Sequence, residues 1–280
     1  MAPILAVENL LSVHQFPLHV LTAEEEATGF PVASIANGRR SEGNHWRPTT
    51  TNSATWIRCV FDRLRALDFV GLDRGHNLKG IGVDLKVTND ATDFTGTYET
   101  AFDLTLPSVS VPGDIDDPLG VRTEEGAWLK RFPVRVGKAV EFQIDAMGAG
   151  LLPNIVGLHI GLSFSPEYFE APLDDETDAL MVEETQVPSG WMSRGQVYRP
   201  RQGTIHYNLN HAEYDQVRYH LLGQFGDGHP MWICFDDAQA NYAYQVVRAG
   251  GQLGFPQPSD YPWRQGEIPF VESAPKRRLG

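Results

Sequence analysis

Apolar and polar residues alternate through much of the first half of the chain. In Val83-Asp84-Leu85-Lys86-Val87 every second residue is apolar, and Val140-Glu141-Phe142-Gln143-Ile144-Asp145 follows the same rule. Leu158-His159-Ile160-Gly161-Leu162 keeps the period with His and Gly in the off positions. A period of two belongs to strands that lay one face on a core. The pattern predicts strands over 55–61, 69–73, 81–87, 99–106, 128–133, 139–146 and 156–164, with a tight turn between the first two. Asp73-Arg74-Gly75, Thr88-Asn89-Asp90 and Val111-Pro112-Gly113-Asp114 supply turn chemistry between them. Short strands in series without a long helix predict a mainly β architecture, a sandwich or jelly roll.

The pattern then changes. From Glu167 to Gln186 the chain holds eight acidic residues and no Lys or Arg, which reads as a solvated linker or as a charged surface facing a partner. Beyond it, Gly203-Thr204-Ile205-His206-Tyr207-Asn208-Leu209 alternates as a strand. Tyr214, Val217, Leu221, Leu222 and Phe225 then recur at helical spacing, predicting a helix over 211–225 with Asn210 as N-cap and Gly226 as its end. Strands follow at 230–236, 242–248 and 267–272. The expected organisation is a sandwich with an N-terminal extension over 1–170, an acidic linker over 171–186, and a smaller β-rich, α+β barrel-like module over 187–280.

Composition narrows the function classes. Apolar residues make up 41% and charged residues 21%, as in an ordinary globular chain. The formal net charge of −13 argues against nucleic acid as a specific partner, because that binding rests on Lys and Arg meeting phosphates. The two cysteines, Cys59 and Cys234, lie in apolar runs and read as buried free thiols. Met1 to Asn9 lacks a basic region leading into a long apolar run, so no signal peptide is expected. No apolar stretch approaches the roughly 18 residues of a membrane span, and the expectation is a soluble product of a cytoplasm without membrane partners.

Candidate chemistry is sparse. There is no phosphate loop, nucleophile elbow or metal-ligand spacing, so no catalytic residue, cofactor or metal is expected. The acid pairs Asp116-Asp117, Asp174-Asp175 and Asp236-Asp237 put neighbours on opposite faces and do not build a facing carboxylate pair. Asp73-Arg74-Gly75-His76-Asn77 gathers a carboxylate, an imidazole and an amide on one turn. Those groups can serve a sugar hydroxyl or a cation, or bond the turn's own backbone. Trp46 and Arg47 sit in a polar, Thr-rich loop, where the aromatic either packs at the sandwich end or stacks on a ligand. Trp191 follows the acidic stretch and is a candidate interface anchor. The candidate contact residues are therefore Trp46, Arg47, Asp73, His76 and Trp191.

Ala54-Thr55-Trp56-Ile57, the run from Phe69 through Gly75-His76-Asn77-Leu78, and Asn154-Ile155-Val156-Gly157-Leu158 together resemble a galactose-binding-like (discoidin-type) β-sandwich. Residues 186–275 resemble a module of tailed-bacteriophage minor tail or distal tail proteins, on Gly203-Thr204-Ile205, the helix after it, Pro230-Met231-Trp232-Ile233-Cys234-Phe235 and Glu267-Ile268-Pro269-Phe270. The resemblance implies a non-enzymatic structural protein of the virion tail tip. Such a protein forms a homo-oligomeric ring or collar around the tail axis, in contact with other tail proteins. The alternative it leaves open is a carbohydrate-binding module that recognises a cell-surface glycan of the host.

Overall fold

The computed structural model describes residues 4–12, 15–37, 44–50, 53–90, 94, 98–106, 127–148, 150–165, 168–169, 174–178, 181–186, 192–198, 201–210, 213–215, 218, 225, 229–234, 243–250 and 264–272. The strands are β1 (Ile4–Ala6), β2 (Val20–Ala23), β3 (Thr55–Leu72), β4 (Gly82–Thr88), β5 (Glu99–Thr105), β6 (Trp128–Ile144), β7 (Leu158–Gly161), β8 (Tyr168–Phe169), β9 (Asp174–Asp178), β10 (Met181–Gln186), β11 (Met192–Tyr198), β12 (Arg201–Leu209), β13 (Met231–Cys234), β14 (Ala243–Arg248) and β15 (Arg264–Glu272). The architecture is mainly β, as the alternation predicts. No helix among the described residues is long and apolar enough to cross a membrane.

Two long strands organise the sandwich. β3 and β6 pair antiparallel along their whole length, with register shifts between Val60 and Arg65 and between Leu67 and Phe69. At this corner the sheet turns over on itself. The first half of β3 and the second half of β6 join β2, β4 and β5 in a five-stranded layer. Their other halves join β7 in a three-stranded layer. One core fills the space between, including Ile57, Phe61, Leu85 and Phe142 from one layer and Leu67, Leu72, Trp128 and Ile160 from the other. Leu10, Leu11 and Trp46 close its ends.

The tight turn expected after Phe61 does not form. Arg63-Leu64-Arg65-Ala66-Leu67-Asp68 has no Gly, Pro or Asn to close a hairpin, so β3 runs on through bulges. The strands expected at 128–133 and 139–146 likewise merge into β6. Pro133 is tolerated inside it because it falls in the second register shift, where no ladder N–H is needed.

The second unit is a curled sheet in the order β1-β13-β14-β15-β12-β8, with β9 also on β12. Its two ends meet. Leu5 of β1 exchanges both backbone hydrogen bonds with Phe164, four residues before β8 begins. Leu5, Ile205, Tyr207, Met231, Ile233, Val246, Ile268 and Phe270 form the interior of this barrel-like wall. Tyr214 and Phe225 contribute to the same cluster. Residues 213–215 are helical, and a capping box starts them: Glu213 N–H donates to Asn210 Oδ1 at 2.8 Å, and Asn210 N–H donates to Glu213 Oε2 at 3.2 Å. The rest of the predicted helix and Gly226 lie outside the described residues.

The acidic stretch differs from its reading as a linker. Residues 174–178 form β9, paired with β12, and 181–186 pair with 192–198 as a hairpin separate from both larger sheets. Among its carboxylates the stretch holds Thr177, Val182 and Thr185, residue types that suit a strand.

β1 joins the two units. Its Leu5 points into the barrel, while Ile4 and Ala6 face the sandwich with Trp232, Cys234 and Ala243. Against them lie Phe69 and Leu129, so the three-stranded layer is covered on both faces. The indole of Trp232 fills the space over Gly71, where a Cβ would stand 2.9 Å from its Cε2 atom. Both cysteines are buried and free.

Candidate functional site

The loop bearing Trp46 and Arg47 is held at one end of the sandwich by an isolated β-bridge. Trp46 N–H donates to Ile155 O at 2.9 Å, and Ile155 N–H returns to Trp46 O at 3.1 Å. The indole turns inward. It is fully buried, and its Nε1–H donates to Glu25 O at 3.1 Å. His45 and Arg47, on either side of it in sequence, both reach the ring of Phe30. The imidazole centroid lies 4.4 Å from the ring centroid, and the guanidinium carbon sits 4.4 Å from it. Phe30, His45 and Arg47 are all half-buried. Beside them the Glu25 carboxylate accepts from the backbone N–H and hydroxyl groups of Thr49 and Thr50 at 2.7–3.2 Å. Those donors hold its pKa below the usual carboxylate value, the Thr49 and Thr50 side chains foremost.

Arg47 has a different electrostatic setting from the ion-paired arginines of the sandwich. Arg58, Arg65, Arg131 and Arg135 each meet a carboxylate, on Glu141, Asp62, Asp68 and Glu99 respectively. Arg47 has no ion pair among the described residues, and its buried Nε has no hydrogen-bond partner. Its guanidinium lies against the face of Phe30.

The turn after β3 approaches the same end from the other side of segment 152–157. Asn77 Nδ2 donates to Leu152 O at 2.8 Å, Asn154 N–H to Asn77 Oδ1 at 2.8 Å, and Asp73 N–H to Gly157 O at 2.9 Å. Gly75 takes φ 100°, the left-handed conformation this turn requires. His76 is fully buried, and its Nδ1 accepts from Leu78 N–H at 3.3 Å. Asp73 is buried too, with Oδ1 3.3 Å from His159 Nε2. Gln245 Nε2 lies 3.0 Å from that same nitrogen, and the imidazole stands edge-on to Trp232. Asp73 thus belongs to a polar chain that crosses from sandwich to barrel.

The structure therefore gathers Trp46, Arg47, Asp73 and His76 around segment 152–157, and of these four Arg47 presents a half-exposed side chain. Trp191 lies outside the described residues. Phe30 and Glu25 were not legible as site residues. The signal for Phe30 was weak: an aromatic next to Pro31, twenty-five positions before the first predicted strand at 55.

The outer face of the five-stranded layer carries a second polar array that the sequence motifs did not single out. The guanidinium of Arg58 lies 3.7 Å from the Trp56 ring centroid and 4.7 Å from that of Phe94, and it pairs with Glu141. Lys86 bridges Glu141 and Gln143 at 3.2 and 2.6 Å. Asp84, partly buried beside Asp103, Glu141 and Asp145, has its pKa pushed up, chiefly by desolvation. These are the off positions of the alternating strands, so the pattern itself was the available signal. Each cation here already has a protein anion.

No family model and no curated protein matches the chain. Among solved structures, a chitosan-binding module from the chitosanase/glucanase of Paenibacillus sp. IK-5 is 17% identical with a TM-score of 0.41, covering 55% of this chain and 98% of that chain. The family 32 carbohydrate-binding module of Clostridium perfringens NanJ, in complex with galactose, is 13% identical with a TM-score of 0.39, covering 56% and 98%. A further Clostridium perfringens module, solved with GalNAc-β-1,3-galactose, is 9% identical with a TM-score of 0.39, covering 51% and 94%. None of these three is a tail protein.

Proposed function

We propose that this chain is a non-catalytic glycan-binding protein in which the sandwich makes the contact and the barrel-like unit braces it. The observation that carries this reading is the stack of His45, Phe30 and Arg47 beside Thr49 and Thr50. Sugars offer flat C–H faces rimmed by hydroxyls. Planar side chains beside hydrogen-bonding ones recognise such a surface. The struts beneath, Trp46 on Ile155 and on Glu25, fix the stack before a ligand arrives, which reduces the entropy lost on binding. A glycan array probed with the intact chain and with Phe30→Ala tests this. The expected result is binding to at least one glycan class, weakened about tenfold or more by the substitution. No signal above background with folded wild-type chain overturns it.

A second reading rests on the β10–β11 hairpin. It pairs with itself and stands apart from both larger sheets among the described residues. An isolated two-stranded hairpin is marginal in water and gains stability from a further surface. In a tail-tip protein that surface is a neighbouring copy in a ring, or another tail protein of the virion. Light-scattering mass of the intact chain against a deletion of 181–198 tests it. A ring-sized species lost on deletion supports assembly, and a monomer in both cases removes the support.

A further inference from the structure

We infer that Arg47 is the receptor for an anionic group on the glycan, the carboxylate of an acidic sugar or the sulfate of a sulfated one. The inference rests on the glycan-binding reading and adds the charge class of its ligand. A guanidinium is charged at any physiological pH and carries five N–H donors in a planar fork that matches two oxygens of one oxyanion. In this chain acidic residues outnumber Lys and Arg 36 to 23, yet among the described residues Arg47 meets no carboxylate. Four other arginines of the same sandwich each have one.

The nearby acid is not a substitute. The backbone oxygen of Glu25 receives Trp46, but its carboxylate is taken up by four donors of Thr49 and Thr50. Phe30 meanwhile holds the guanidinium in one place by its ring face, so little side-chain freedom remains to be lost on docking. A cation that is half-buried, held in position and without an anion among the described residues suits an incoming oxyanion. Half-burial shields the pair from salt better than a surface pair, yet its attraction still falls as ionic strength rises.

The test is a titration of the intact chain with a panel of acidic oligosaccharides, oligogalacturonate, sialyllactose and a heparin-derived tetrasaccharide, beside their neutral counterparts and inorganic sulfate. The readout is isothermal calorimetry at two salt concentrations, with the NMR signal of the Arg47 Nε–H followed in parallel. The expected result is that an acidic member binds at least about tenfold tighter than its neutral counterpart. R47Q is expected to abolish that difference and R47K to restore part of it. The carboxylate-bearing and sulfated arms identify which oxyanion is taken, and a shift with inorganic sulfate alone shows recognition of the bare anion.

Neutral glycans binding as well as acidic ones, unaffected by R47Q, overturn this inference and leave the glycan-binding reading standing. Failure of every sugar overturns both. The Arg47 Nε–H signal is read on wild-type protein, so a perturbation that moves elsewhere while this signal stays still also overturns the inference, whatever the variants do to folding.

Discussion

The two layers of the sandwich are built from the same two strands, and their surroundings make them different. In the five-stranded layer, β4 reads Val83, Leu85 and Val87 inward and Asp84 and Lys86 outward, and the outer face stays polar. In the three-stranded layer, residues 67–72 of β3 are buried without interruption, because the barrel covers the other side. Alternation reports a strand with one solvated face. Where a second sheet docks, the outward positions hold Phe69, Gly71 and His159, fitted to Trp232 and Gln245 and not to water.

Breaking the covered face should have the largest effect. Trp232→Ala removes the indole that fills the space over Gly71, and a loss of about 3–5 kcal/mol in denaturant unfolding is expected. Thr100→Val on the open layer should stay within about 0.5 kcal/mol. Similar losses for the two would refute the docking of barrel on sandwich.

Glu8, beside Asp68 and Arg65, sharpens the contrast through pH. Burial raises its pKa to about 7, the Arg65 charge opposing and the Asp68 charge adding to the shift. An acid with a raised folded-state pKa favours the fold fully below its unfolded value, and that contribution disappears as pH climbs through the folded value. Between about pH 5 and 8 the wild-type chain should lose roughly 2–3 kcal/mol through this group. Glu8→Gln should flatten that slope, and an unchanged slope assigns it elsewhere.

His159→Leu cuts the polar chain between Asp73 and Gln245 and removes one polar contact from each of these two buried groups. A loss of about 2 kcal/mol is expected, with non-additivity against Gln245→Leu in a double-mutant cycle. Simple addition of the two would show that the chain is not coupled. On the open layer, Glu141→Gln weakens the tie to Arg58 and Lys86. A cost of about 1 kcal/mol that shrinks in salt is expected, since both cations retain partial contact with water.

Local pattern made the strands legible, and with them the fold class and the capping of the chain at Asn210. It could not show that β3 continues past Phe61, because a bulge leaves no periodic trace. The pairing of Ile4 with Cys234 is likewise invisible, since register between distant segments is set by three-dimensional closure. Reading the site had the same limit. Trp46, Asp73 and His76 stand out by residue type, but burial decides their role, while the half-buried Phe30 reaches Arg47 across sixteen residues of intervening chain.

The placement of β1 has a consequence for biosynthesis. Its pairing edge is contributed by β13, more than two hundred residues later. At about 5–20 residues per second, a ribosome takes roughly 10–50 s to supply that partner. The sandwich can close on itself well before then, while Ile4, Leu5 and Ala6 wait as an unpaired apolar edge. The strand pairing that joins the two units thus waits for Met231–Cys234, and slow synthesis of the middle of the chain prolongs the interval in which that edge can pair with the wrong molecule.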